Sequence, residues 1–155
     1  MKKIISVLIY LLPIVSFAQS GKLFTVEREL SNSNINVIFQ DKSGFIWIGT
    51  DDGLICYDGA KFTKFKHVYG SSNSLADNDV LSINEEPRGH IVIGTARGLQ
   101  IYDKATEVFS NIRFGYKNEK KMGAYVTSLL VKKNGKVLIG TAGHGLYKLI
   151  ICESI

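Results

Sequence analysis

The chain has 155 residues, 45% of them apolar and 21% charged, which is the composition of a globular domain and excludes a disordered one. Its net charge of +5 falls to +3 without the first eighteen residues, too mild a basic balance to point to a nucleic-acid partner. Fifteen glycines against two prolines suit many tight turns between strands.

Residues 1–18 read as a leader. Lys2 and Lys3 form a basic start, Ile4 to Val15 is an apolar run, and Ser16-Phe17-Ala18 places small residues before a cut ahead of Gln19. The run is too short and wrongly flanked for a lasting membrane span, and none is expected after it. Export puts the protein in the periplasm and its two thiols, Cys56 and Cys152, in an oxidising compartment. Cys56 sits where a later copy of the pattern has Ile101, so buried free thiols are expected.

Residues 19–155 carry a pattern that recurs. Leu23–Glu29 (LFTVERE) alternates as a strand does. Ile35–Gln40 is an apolar run ending in the turn Asp41-Lys42-Ser43-Gly44. Phe45–Gly49 follows, then the turn Asp51-Asp52-Gly53, the strand Leu54–Asp58, and the alternating edge strand Lys61–Lys66. Val80–Asn84, His90–Gly94, Leu99–Asp103 and Glu107–Ile112 repeat this plan, and Val126–Val131, Lys136–Gly140 and Leu146–Ile150 repeat three strands of it.

The triplet Ile-Gly-Thr places its glycine at Gly49, Gly94 and Gly140, steps of 45 and 46 residues. Such a period with several short strands marks β-propeller blades. The expected fold is all-β: a partial propeller of about three four-stranded blades from a larger ring. The repeats span 30–74, 75–119 and 120–155, and strand 23–29 serves as the clasp that closes the ring. Three blades cannot surround a channel, so the chain is expected to be a fragment with an apolar face at each end, and to unfold easily, aggregate or pair with a second chain.

The pattern V-x-x-I-x-x-D-x-x-G-x-I-W-I-G-T-x-x-G-L-x-x-Y-D is carried by Ile35, Ile38, Asp41, Gly44, Ile46 to Thr50, Gly53-Leu54 and Tyr57-Asp58. It resembles the two-component regulator propeller repeat. The resemblance implies the exported sensor region of a hybrid two-component histidine kinase, with a sugar as ligand and the kinase elsewhere in the parent protein. An enzymatic alternative is a fragment of a propeller-based lyase or glycosidase. A third reading is a free-standing module in which two chains close a six-bladed ring.

No catalytic residue, metal site or cofactor is expected. His67, His90 and His144 do not stand at metal-ligand spacing, and no phosphate loop or nucleophile motif occurs. Contacts to an oligosaccharide, if made, fall on loops: Asp51, Asp52, Arg97 and His144 are the candidates. Asp51-Asp52 reads first as a polar turn, and Asp58 and Asp103 as strand-ending turn residues. His90 is expected at an exposed strand start. Trp47 and Tyr57 read as packing between blades, since aliphatic residues replace them in other copies. The Ile-Gly-Thr glycines are expected to permit close backbone approach or positive φ.

Overall fold

The computed structural model describes residues 34–114 and 124–150. The leader 1–18, the clasp strand 23–29, the lysine cluster Lys117–Lys121 and Cys152 lie outside the described residues.

Eleven strands form three antiparallel sheets among the described residues. The first holds β1 (Ile35–Gln40), β2 (Ile46–Thr50), β3 (Gly53–Tyr57) and β4 (Phe62–Phe65) in sequence order. The second holds β5 (Val80–Glu85), β6 (Ile91–Thr95), β7 (Gly98–Asp103) and β8 (Val108–Ile112). The third holds β9 (Val126–Val131), β10 (Lys136–Thr141) and β11 (Gly145–Ile150). This is the expected partial propeller, and among the described residues each strand read from sequence is found within a residue or two. β5 packs against β1 and β2, and β9 against β5 and β6, so the first strand of each sheet lies at the convergence of the blades.

The side chains explain the register. In every sheet the threonine of Ile-Gly-Thr closes the following turn. Thr50, Thr95 and Thr141 donate from Oγ1 to the carbonyls of Gly53, Gly98 and Gly145 at 2.9, 3.2 and 2.7 Å. Gly53 and Gly98 take φ of +123° and +134° there, a conformation open to glycine.

At the opposite end, the Asp41 carboxylate accepts from the amides of Ser43 and Phe45 at 2.9 and 3.0 Å. Glu86 does the same work in the second sheet, accepting from Arg88 and His90. Lys132 stands at that place in the third sheet, and Asn134 accepts instead from the amide of Lys136.

Between sheets lie two apolar joints. Trp47, Leu54 and Phe65 of the first sheet meet Val80, Ile83, Ile91, Ile93, Tyr102 and Phe109 of the second. The ring centroids of Trp47 and Phe65 lie 5.8 and 5.2 Å from that of Tyr102, so aromatic edges and faces interlock across this joint. Val92, Leu99 and Ile101 meet Val126, Val137 and Ile139 across the other.

Gly49 and Gly94 sit in these joints, and the alternatives expected for the Ile-Gly-Thr glycines resolve: none of the three has positive φ, Gly49 and Gly94 approach the next sheet closely, and Gly140 meets Ser128 of its own sheet. A Cβ on Gly49 would fall 2.7 Å from Cγ1 of Val80 and 3.0 Å from its carbonyl oxygen. A Cβ on Gly94 would fall 2.5 and 2.8 Å from the same atoms of Val126. Val80 and Val126 begin the first strand of the next sheet, each paired with the threonine of Ile-Gly-Thr in its own sheet and followed by a register shift.

Three sequence expectations need correction. Tyr57 reads as packing between blades, but among the described residues its ring stacks on Phe62 of its own sheet at 4.5 Å, and its hydroxyl donates to the carbonyl of Gly59. The equivalent positions in the other two sheets do pack into the joints, as Tyr102 in the first and Leu149 in the second. His90 is not an open strand start, because Nδ1 lies 3.0 Å from the Glu86 carboxylate. Cys56 is a free thiol but half-buried, and desolvation pushes its pKa up to about 11, which makes it a poor nucleophile.

Candidate functional site

The four loop candidates occupy equivalent turns. Asp51 and Asp52 lie between β2 and β3, Arg97 between β6 and β7, and His144 between β10 and β11, all at the same end of their sheets. Most are engaged locally. Asp51 accepts from Asn34 Nδ2 at 2.8 Å, and Asp52 pairs with Lys66 at 2.5 Å. The two carboxylates thus have separate partners and do not act as one acid-base pair. His144 is exposed, with Nδ1 3.2 Å from the carbonyl oxygen of Ala142, a contact within its own turn.

Arg97 differs, because it lines a cavity of about 430 Å³ together with His67, Ser71, Ser72, Ser74 and Asn111. The cavity is walled by the long crossing from β4 to β5. Gln100, fully buried, pins that crossing: its Oε1 accepts from the amide of Ala76 at 2.8 Å, and its Nε2 donates to the carbonyl of Ser74 at 3.1 Å. His67 Nδ1 lies 2.7 Å from the carbonyl oxygen of Leu75 and closes the loop on itself. What remains for a ligand is an exposed guanidinium, held by Asp77 at 3.2 Å, beside the serine hydroxyls of the loop. That is a place for hydroxyl and carboxylate oxygens.

The opposite end carries a cleft of about 330 Å³ lined by Lys42, Glu85, Arg88, His90, Asp103 and Lys104, among others. Lys42, Glu85 and Lys104 join the first two sheets there, while Arg88 and His90 pair with Glu86 within the second. Lys104 Nζ lies 2.8 Å from the fully buried Asp41 carboxylate and 3.3 Å from that of Glu85. The Trp47 indole donates to Asp41 at 3.0 Å. Burial pushes the Asp41 pKa up, but the hydrogen bonds from Lys104 and Trp47 outweigh it and hold the carboxyl below its ordinary range. Burial likewise pushes Lys104 down, and Asp41 and Glu85 reverse this and leave it raised. Asp58 and Asp103 are turn residues as expected: backbone amides of Lys61 and Ala60, and of Ala105, hold their carboxyls low. No cluster of three metal-ligating side chains occurs among the described residues.

Sequence reasoning missed three of these elements. Lys104 and Gln100 have no counterpart in the other copies, where Gly59 and either Ile55 or Tyr147 stand, so repeat comparison gave them no weight. The crossing 66–79 lies between repeat cores and carries no periodic signal.

Comparison with known proteins agrees with this fold. The family described as two component regulator propeller matches residues 29–52. The extracellular domain assigned to the hybrid two component system BT3049 of B. thetaiotaomicron is similar over 84% of this chain, at 28% identity and a TM-score of 0.72. The corresponding domain of BT4673 from the same organism is similar over 85%, at 19% identity and a TM-score of 0.69, which bears on the fold alone. The chain spans 19% of the length of each. No curated protein matches the sequence. One segment of the chain thus matches the two component regulator propeller model, and the chain as a whole resembles the extracellular domains of hybrid two component systems. No described helix is long and apolar enough to cross a membrane.

Proposed function

We propose that this chain is part of the exported, ligand-binding region of a two-component sensor, that it resides in the periplasm, and that it responds to a carbohydrate by binding and without catalysis. The likeness at 28% identity to an extracellular domain of a hybrid two component system carries this reading. A rigid set of sheets with loops gathered at one end suits recognition, because the scaffold holds the loops in place. The Arg97 cavity is where an acidic or hydroxyl-rich ligand would be held, with the guanidinium supplying paired donors.

Titration of the purified protein with short neutral and uronate-containing oligosaccharides tests the proposal. Binding raises the melting temperature, by the equivalent of about 2.7 kcal/mol at a hundredfold excess over Kd. Arg97→Ala is expected to weaken binding tenfold or more while the unliganded melt stays unchanged. No response to any of these sugars would overturn the carbohydrate reading, and release of new chain ends from a polysaccharide would favour the lyase or glycosidase alternative. Export further predicts a periplasmic product that begins at Gln19, and mass spectrometry finding Met1 intact would contradict it.

A further inference from the structure

We propose that the turn between β9 and β10 is a carboxylate-binding site, and that the carboxylate comes from a ligand. The proposal rests neither on the sensor reading nor on the Arg97 cavity. It rests on what the same turn holds in the first two sheets.

The three turns share one backbone. The amide of the opening residue donates to the carbonyl four residues on, Asp41 to Phe45, Glu86 to His90 and Lys132 to Lys136, at 3.0, 3.0 and 2.8 Å. The glycine amides of Gly44, Gly89 and Gly135 donate back to the opening residue's carbonyl at 3.0, 2.9 and 3.0 Å, with φ of +90°, +96° and +74°. In the first turn the amides of Ser43 and Phe45 meet Oδ1 of Asp41, and in the second those of Arg88 and His90 meet Oε1 of Glu86. The other carboxylate oxygen takes a cation each time: Lys104 Nζ on Asp41 Oδ2 at 2.8 Å, and Arg88 Nε on Glu86 Oε2 at 3.4 Å. The turn therefore receives a carboxylate in one way, with two amides on one oxygen and a cation on the other.

The third turn keeps the backbone and omits the acid. Lys132 stands where Asp41 and Glu86 stand, and an ammonium, being only a donor, cannot answer amides. The amide of Asn134, the equivalent of Ser43 and Arg88, has no acceptor among the described residues. That of Lys136 has Asn134 Oδ1 at 3.3 Å, a longer bond than the 3.0 Å that Phe45 makes to Asp41. Cations are in excess beside it. Lys132 and Lys133 are exposed, have no ion pair among the described residues, and border a cleft of about 330 Å³ with Lys42. The carboxylate in that cleft, Glu85, is already matched by Lys42 and Lys104. Lys132 belongs to both turn and cleft, so an acid seated in the turn finds room for its body next to it. One of its oxygens takes the amides of Asn134 and Lys136, displacing the asparagine side chain, and the other takes the Lys132 ammonium.

Amide proton–nitrogen spectra of the purified protein test this, with sodium acetate, galacturonate and N-acetylglutamate as probes and sodium chloride and sulfate at equal ionic strength as controls. Acetate is expected to move the amide protons of Asn134 and Lys136 downfield and saturably. Those of Ser43, Phe45, Arg88 and His90, which already hold a carboxylate, should stay in place. Galacturonate and N-acetylglutamate should both bind at least as tightly as acetate, and the tighter of the two identifies an acidic sugar or an acidic peptide as the source. Lys132→Asp restores the acid of the other two turns. It should raise the melting temperature, shift the same two amides downfield without any probe, and weaken acetate binding about tenfold or more. Amides of Asn134 and Lys136 that ignore acetate, or move as far with chloride, overturn the proposal. So does sulfate binding as tightly as acetate, both larger acids binding more weakly than acetate, or acetate binding unchanged in Lys132→Asp.

Discussion

The second and third sheets have nearly the same pattern and opposite surroundings. In the second, β6 is buried at every residue, and β7 at all but its last. In the third, no residue of β11 is buried; each is exposed or half-buried. The strands are made by the same means, with the same threonine closing the turn and the same glycine before it. Forming a blade and burying one are thus separate problems here: local turn chemistry settles the first, and neighbours settle the second. Side chains at the two places record the difference. Where the joints have Trp47 or Val92, the third sheet has Leu138, and where they have Cys56 or Ile101, it has Lys148, whose stem can lie on apolar surface while its ammonium stays in water.

Substitutions at equivalent positions turn this contrast into numbers. The largest effect is expected from Trp47→Ala, which empties the first joint and leaves Asp41 without its indole donor. It should cost about 4 kcal/mol in urea unfolding, while Leu138→Ala in the third sheet costs about 1. Near-equal losses would erase the distinction between joint and open face.

Gly94→Val comes next. Its Cβ would run into both the side chain and the carbonyl of Val126, and backbone cannot step aside, so a loss of about 2 to 3 kcal/mol is expected. Gly140→Val meets first a serine hydroxyl that can rotate, and should cost under about 1 kcal/mol at monomer concentrations. A thermal melt of the two variants side by side decides, and equal melting temperatures would mean that the glycines are mere spacers.

A smaller effect concerns charge. Asp41→Asn should cost about 2 kcal/mol, the scale of a hydrogen bond to a charged group. Because the folded pKa of Asp41 is lowered, its contribution is full above its ordinary value of 3.8 and is lost as pH falls through the lower folded value. Lys104 is raised, so its contribution is full below 10.5 and is lost as pH rises through the higher folded value. Wild-type stability should therefore hold a plateau between these limits and fall outside it, and Asp41→Asn should flatten the acid side. An acid limb unchanged by the substitution would remove the lock between the first two sheets from this account.

Much of the architecture was legible because a repeat is its own control. Gly49, Gly94 and Gly140 aligned the copies, and once aligned, the turn residues Asp58 and Asp103 and the strand bounds followed from position alone. The role of the glycines was legible only in part, since Gly49 and Gly94 are also crowded from the next sheet, by Val80 and Val126, which alignment of the copies does not show. The cavity was harder still. Arg97 could be named as an exposed turn residue, but its neighbours His67, Ser71 and Ser74 lie on a crossing that has no period, and Gln100 acts as a buried clamp only because that crossing folds over it. Tyr57 shows the limit of transfer between copies: Tyr102 packs in a joint, and the same residue one repeat earlier stacks within its own sheet.

Residue-resolved amide hydrogen exchange, at a dilution where the protein sediments as a monomer, tests most directly whether neighbours rather than strands make this structure stable. The account predicts the slowest exchange in β5, β6 and β7, covered on both faces, and exchange in β10 and β11 faster by orders of magnitude. Protection in β11 equal to that in β7 at every dilution would contradict it.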